Sequence, residues 1–271
     1  MEFTILGSSG FIGSNLLTHL EHSGHSCFAP DRNHHGVFTE QLGNVIYCVG
    51  LTADFRQRPY DTVRAHVCLL ADILEKSRFE SLLYLSSTRV YAGALNGGEE
   101  TPLLAGDIYN ASKLTGEALC FASGRSNVRV ARLSNVFGGD FDSDNFLPAL
   151  IRAAVQDDHI KLSTALDSAK DYVSIDDVVT ILPKIAMDGN QRIYNVASGS
   201  NTSNRELVQV IRELTGCSFE VAIGGSTISF PPIEIARLRD ELGFSPAGIL
   251  DHLGELVSGF RRKEYKLKGS V

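Results

Sequence analysis

The stretch EFTILGSSGFIG, residues 2–13, constrains the fold more than any other. A short apolar run stops at a glycine, and Gly7, Gly10 and Gly13 then lead into the amphipathic segment FIGSNLLTHLEHSG. Strand, glycine turn and helix in that order form the opening unit of a parallel sheet. At this spacing the missing side chains permit a tight turn, close approach of a pyrophosphate, and contact between helix and strand. The free N–H groups and positive dipole end of the helix then favour phosphate. Gly7, Ser9, Gly10, Phe11, Ile12 and Gly13 are therefore expected to line a dinucleotide. With 25 glycines in 271 residues the spacing alone is a weak signal. Its place on the first strand-to-helix turn gives it weight.

The first half repeats the pattern. HSCFAP, NVIYCVG, SLLYLSS and NVRVARLS read as strands, and YDTVRAHVCLLADILEKSR and residues 109–122 as helices, with a loop rich in Gly, Glu and Pro over residues 92–107. Continuous apolar strands separated by helices imply a parallel sheet covered on both faces, the doubly wound, Rossmann-type α/β class. Beyond residue 135 the pattern loosens: a helix near NFLPALIRAAVQ, short strands near IKLS and RIYNVAS, and helices at SIDDVVTILPKIA, NRELVQVIRELTG and PIEIARLRDELG. Residues 1–135 are thus expected to form a dinucleotide-binding domain to which later segments return, and residues 136–271 mainly a smaller, C-terminal substrate-binding lobe.

Composition narrows the class of partner. The longest apolar runs, such as SLLYL, fall short of the roughly 20 residues a membrane span needs, and no charged leader opens the chain. Five scattered cysteines without a C-x-x-C pair read as reduced thiols in a cytoplasm, and no metal site is expected. A net charge of -7 disfavours nucleic acid, and the basic end FRRKEYKLKGSV reads as a solvated or loosely docked tail.

Eighteen residues past Gly13 the second strand ends at Pro30, Asp31 and Arg32. A carboxylate there binds the adenosine ribose hydroxyls of NAD, and an arginine beside it accommodates the additional phosphate of NADP. Both are present, so NAD is preferred with NADP open; the plain alternative is that Asp31 begins a turn. Further on, DIYNASKLTGEAL carries Tyr109 and Lys113 four residues apart, on one face of a helix. A tyrosine hydroxyl titrates at about 10, so service as a base near neutrality asks for about 4 kcal/mol of preferential stabilisation of the phenolate. An ammonium one turn away can supply part of it.

GSSGFIG, SSTRVYAG and YNASK together resemble the extended short-chain dehydrogenase/reductase superfamily, in particular its NAD-dependent epimerase/dehydratase branch. RLSNVFG (132–138), KDYVSIDDVV (170–179) and YNVASG (194–199) carry the resemblance over nearly the whole chain. It implies an NAD(P) domain with a small C-terminal lobe, commonly acting on nucleotide-linked sugars. It implies Ser87 as the residue that hydrogen-bonds the reacting hydroxyl or ketone, Tyr109 as acid/base and Lys113 as its partner. Ser86 is then a strand-end or cofactor-side hydroxyl. The resemblance also places Gly50, Leu51, Thr52, Tyr109, Lys113 and Leu133 along the cofactor, and Thr88, Arg89, Asn135, Phe146 and Lys170 along the substrate. Relatives dimerise through the helices matching residues 60–77 and 109–122, which implies a homodimer.

The departures bear on the reaction. Family 4,6-dehydratases place an Asp-Glu pair directly after the catalytic Ser/Thr, where this chain has Thr88 and Arg89, so dehydration is disfavoured. About a dozen residues separate Asp31 from NVIYCVG, which abbreviates the adenine pocket. His66 stands where an asparagine is common and either joins the tyrosine's hydrogen-bond network or packs as a core histidine. Lys170 replaces an arginine, and no basic residue occurs between Arg212 and Arg237. The expected function is an NAD(P)-dependent epimerase or oxidoreductase of a nucleotide-activated sugar, acting through a keto-sugar. Alternatives are an NADPH-dependent reductase of a keto-sugar or of a non-sugar carbonyl compound, and a nucleotide-binding protein without catalysis. Arg89 either binds a substrate hydroxyl, carboxylate or phosphate, or lies at the surface.

Overall fold

The computed structural model describes residues 1–268 except 33, 53, 95 and 104, so part of the loop at 92–107 and the end of the basic tail lie outside the described residues. The chain begins β1 (Glu2–Leu6), α1 (Phe11–His22), β2 (Ser26–Phe28) and β3 (Asn44–Tyr47). Among the described residues, a short 3-10 turn, His35–Phe38, is the one helical element between β2 and β3. A helical stretch follows as α2 (Pro59–Val63), a π turn (Arg64–Cys68) and α3 (Leu69–Lys76). Next come β4 (Ser81–Ser87), α4 (Ile108–Ala122) and β5 (Val128–Leu133). The second half runs β6 (Asn135–Phe137), α5 (Phe146–Gln156), β7 (His159–Leu162), β8 (Ala169–Ser174), α6 (Ile175–Asp188), β9 (Ile193–Val196), β10 (Asn201–Ser203), α7 (Asn204–Thr215), β11 (Ser218–Val221), α8 (Ala236–Leu242) and α9 (Ile249–Lys268).

The main sheet has six parallel strands in the order β2-β1-β3-β4-β5-β9. Because successive strand residues face opposite sides, the apolar runs feed two cores. Ile5, Leu83, Leu85 and Ala131 pack on one side with Leu16 of α1 and Val178 and Leu182 of α6. Val45, Tyr47, Leu82, Tyr84 and Val130 pack on the other with Leu70 and Ile73 of α3 and Cys120 of α4. RIYNVAS, read from sequence in the loose second half, supplies β9 and so belongs to this sheet. A third core unites α5, α7 and α9 through Leu147, Ile151, Leu207, Ile211, Leu253 and Phe260. Small sheets β10-β8-β6 and β11-β7 flank it.

Two expectations are corrected. PIEIARLRDELG is helical only from Ala236: the Pro231-Pro232 pair disfavours helix, and Ile233 is extended, bridging to Gly97. The basic tail is not loose over its described first part. It continues α9, with Phe260 buried, the Arg261 guanidinium donating to the Leu214 carbonyl at 3.2 Å and Lys263 paired with Asp142. No helix among the described residues is long and apolar enough to cross a membrane.

Candidate active site

The turn between β1 and α1 shows why glycines stand there. Gly7 has φ +87°, and a Cβ on it would sit 2.9 Å from the Cys48 carbonyl carbon and the Val49 nitrogen. A Cβ on Gly13 would collide with the Gly7 carbonyl oxygen. Gly10 caps α1 without any side-chain hydrogen bond, leaving the first-turn amides of Phe11, Ile12 and Gly13 unspanned by a cap. Ser9 and Gly10 are exposed at the rim, and Asp31 and Arg32 are exposed just past β2. Across the strand ends lies the Gly50–Leu51–Thr52 turn, where a Cβ on Gly50 would meet His66 Nε2 at 3.0 Å and Lys113 Nζ at 3.5 Å. These residues make a cradle that extra side chains would fill, and the cradle fits a dinucleotide. Leu133 closes the end of β5, buried in the core shared with α1.

Helix α4 delivers the side chains beside this cradle. Its N-cap, Asp107, accepts from the Asn110 amide at 2.8 Å, which fixes Tyr109 in the first turn. The Tyr109 hydroxyl lies near enough to Ser87, at the end of β4, for that side chain to lower its pKa. One turn on, the Lys113 ammonium donates to the Leu85 carbonyl at 2.8 Å and lies 5.9 Å from the centre of the Tyr109 ring. Ser87, Tyr109 and Lys113 are all buried.

Burial pushes the Tyr109 phenol above its ordinary value, and the Ser87 side chain and the Arg89 charge only partly oppose it. Burial also drives the Lys113 pKa down to about 7, despite the carboxylate of Glu117 and the thiol of Cys48. His66 sits in the π turn with its ring edge-on to Tyr109 at 5.4 Å. The Ser112 hydroxyl donates to the Tyr109 carbonyl at 2.9 Å, so its oxygen accepts from His66 Nδ1 at 2.8 Å, and Nε2 accepts the Leu51 amide at 3.3 Å. Burial, then the Lys113 charge, pushes His66 down to about 2, which leaves the ring neutral in this tautomer. His66 is therefore a buried histidine that ties the cradle to α4 through Ser112 and the Leu51 amide.

Arg89 follows Ser87 in a 3-10 turn, its amide donating to Ser87 Oγ at 3.2 Å. Its guanidinium donates to Asp107 at 3.1 Å and lies over the rings of Tyr109 (5.0 Å) and Phe55 (5.2 Å), which are themselves 5.3 Å apart. Thr88 is buried in the same turn. Lys170 of β8 lies 4.7 Å from the Phe146 ring, its pKa lowered by burial and by the Arg89 charge. Asn135 is exposed and commits its amide N–H to the Asp171 carbonyl at 2.8 Å. Ser86 turns away from this cluster, donating to Glu117 at 2.5 Å, and is a structural hydroxyl. Two cavities of about 580 and 560 Å³ lie elsewhere, one by Glu2, Asn44 and Arg129, the other between Asn15 and α9. The cluster itself lies at the strand ends, with Ser87, Thr88, Tyr109 and Lys113 buried and Arg89 partly exposed.

Sequence reasoning missed Asp107 and Phe55. An aspartate directly before a helical run is an N-cap signal. Phe55 had none, since tertiary folding alone brings it to Tyr109.

A model of the NAD dependent epimerase/dehydratase family matches residues 3–197. The chain belongs to this family. Its curated family relatives include the dTDP-glucose 4,6-dehydratase of Streptomyces griseus, 26% identical over 209 residues, 71% of this chain and 62% of the relative. The chain thus spans less than two thirds of that relative's length. The GDP-6-deoxy-D-mannose reductase of Pseudomonas aeruginosa is 26% identical over 248 residues, covering 80% of this chain and 81% of the relative. Among solved structures, MoeE5 in complex with UDP-glucuronic acid and NAD superposes with a TM-score of 0.85 at 24% identity, covering 97% of this chain and all of that one. It shows the shared fold. The named relatives include a dehydratase and a reductase of nucleotide sugars.

Proposed function

We propose that this chain is an NAD(P)-dependent epimerase or reductase of a nucleotide-activated sugar, with Tyr109 exchanging the proton of the reacting hydroxyl. The observation that carries the reading is the buried contact of Tyr109 with Ser87 beside Lys113 and the glycine cradle. The turns at Gly7–Gly13 and Gly50–Thr52, with Lys113, would hold the dinucleotide, and the relatives' NAD and NADPH complexes support either cofactor. When bound, the nicotinamide supplies the hydride acceptor or donor. Ser87 aligns the sugar oxygen, and Tyr109 gives or takes its proton at the phenol oxygen. Because burial keeps Tyr109 protonated in the free protein, the site as it stands is set to give a proton, which favours reduction of a keto-sugar. For oxidation, as epimerisation requires, Arg89 and the bound cofactor's positive charge must lower the phenol further.

Elimination of water asks for one group to take a carbon-bound proton and another to protonate the leaving hydroxyl. Thr88 and Arg89 supply neither near neutral pH, so the reading leaves dehydration out although dehydratases are among the relatives.

Incubation with UDP-, dTDP- and GDP-sugars, with product NMR and absorbance of the reduced nicotinamide, tests the reading. Conversion of at least one member is expected, and none overturns it. Tyr109→Phe is then expected to lower turnover by about 10²- to 10⁴-fold with dinucleotide binding retained.

A further inference from the structure

Arg89 lies over the Tyr109 ring, Lys170 is near enough to feel its charge, and the protein supplies the two cations with one carboxylate. Asp107 is the single hydrogen-bond partner of the Arg89 guanidinium among the described residues, and 38% of the Arg89 side chain is exposed. Lys170 meets the Phe146 ring and no carboxylate among the described residues, whereas Lys76, Lys161 and Lys263 each pair with one. Each cation feels the other, since the Arg89 charge lowers Lys170. Holding two like charges together costs free energy unless an anion joins them.

Position decides which anion. Arg89 is fixed by its backbone bond to Ser87 and by stacking on Tyr109. Its charge therefore lies next to the oxygen that Tyr109 serves. In a nucleotide sugar reacting at C4, the diphosphate leaves from C1 on the far side of the pyranose ring, while the substituent on C5 sits beside the reacting carbon. A guanidinium there reaches the C5 substituent. Its planar fork matches a carboxylate in two parallel hydrogen bonds.

We propose that the substrate is a nucleotide-linked hexuronate, whose C6 carboxylate is bound by Arg89 with Lys170 beside it. The proposal rests on the nucleotide-sugar reading above and adds the charge of the sugar to it. The carboxylate replaces solvent on the open side of the guanidinium, while Asp107 holds the other side.

Calorimetric titration of the full chain with matched pairs tests this: UDP-glucuronate against UDP-glucose, dTDP-glucuronate against dTDP-glucose, and GDP-mannuronate against GDP-mannose. In at least one pair the acidic member is expected to bind about 10- to 100-fold tighter, as hydrogen bonds to a charged partner provide. Arg89→Gln is expected to reduce that preference to less than about threefold, while UDP, dTDP or GDP alone binds unchanged. Arg89→Lys, which keeps the charge and loses the fork, is expected to fall between. Equal binding of both members in every pair overturns the inference. So does an Arg89→Gln variant that weakens both members equally, which assigns the cations to the diphosphate. If the neutral sugars are converted as well as the acidic ones, the inference falls and the nucleotide-sugar reading stands. If the acidic preference holds but no member is ever oxidised, reduced or epimerised, the catalytic reading falls and the binding inference stands.

Discussion

Lys113 and Glu117 lie one turn apart on α4, both buried, and their surroundings are finished to different degrees. Around Glu117 nearly every polar group is matched. Its carboxylate accepts Ser86 at 2.5 Å and Arg132 at 3.0 and 2.6 Å; Arg132 donates on to Tyr91, which donates to Asn195. Asn195 in turn donates to the Gly97 and Glu234 carbonyls. This chain of bonds locks β4, β5 and β9 together from within. Around Lys113, an ammonium with three donors has one hydrogen-bond partner among the described residues, the Leu85 carbonyl. Buried polar groups left short of partners are costly, so the second cluster is retained against stability. The contrast separates scaffold from site on a single helix.

Arg132→Met breaks the comparison hardest, because it strands a buried carboxylate. A loss of about 3–5 kcal/mol in urea unfolding is expected, and a loss below about 1 kcal/mol would mean that the network is less buried than described. Lys113 predicts the opposite kind of behaviour. Its folded pKa of about 7 lies below the ordinary lysine value of 10.5, so between those limits the unfolded chain binds more protons. Its cost is full below pH 7 and is relieved as pH rises towards 10.5, adding stability at about 1.4 kcal/mol per pH unit. Relative to Lys113→Met, the wild-type protein should therefore gain in urea midpoint from pH 7 to 9; parallel curves would refute a buried, depressed lysine. Asp107→Ala sharpens the comparison most gently. Loss of the α4 cap should cost about 1 kcal/mol by thermal unfolding, against no change if the Asn110 amide finds another acceptor.

Much of the first half is legible because parallel strands buried on both faces read as unbroken apolar runs, SLLYLSS and NVIYCVG among them. Helix α9 escaped notice for a physical reason. Its apolar positions Ile249, Leu253, Leu256, Val257 and Phe260 keep helical spacing, but interior glycines at 254 and 259 and the basic run after them suggest a chain end. Within the site, spacing singled out Tyr109 and Lys113 and the family resemblance singled out Ser87, and the fold brings the three together. Spacing cannot report desolvation, however, and burial pushes Lys113 down and Tyr109 up. The Arg89 tether and the Phe55 ring arise from segments far apart in sequence, which no local pattern encodes.

The π turn at Arg64–Cys68 has a mechanical side. A helix that makes one wide turn carries one residue more than its length requires, and here that surplus acts as a shim, setting the angle at which His66 meets Ser112 and the Leu51 amide. Trimming one residue would restore a regular helix and swing the preceding residues by about 100°, taking the Gly50–Thr52 turn out of register with α4. The alignment of the Gly50–Thr52 turn with α4 thus depends on a spare residue in the helix between them.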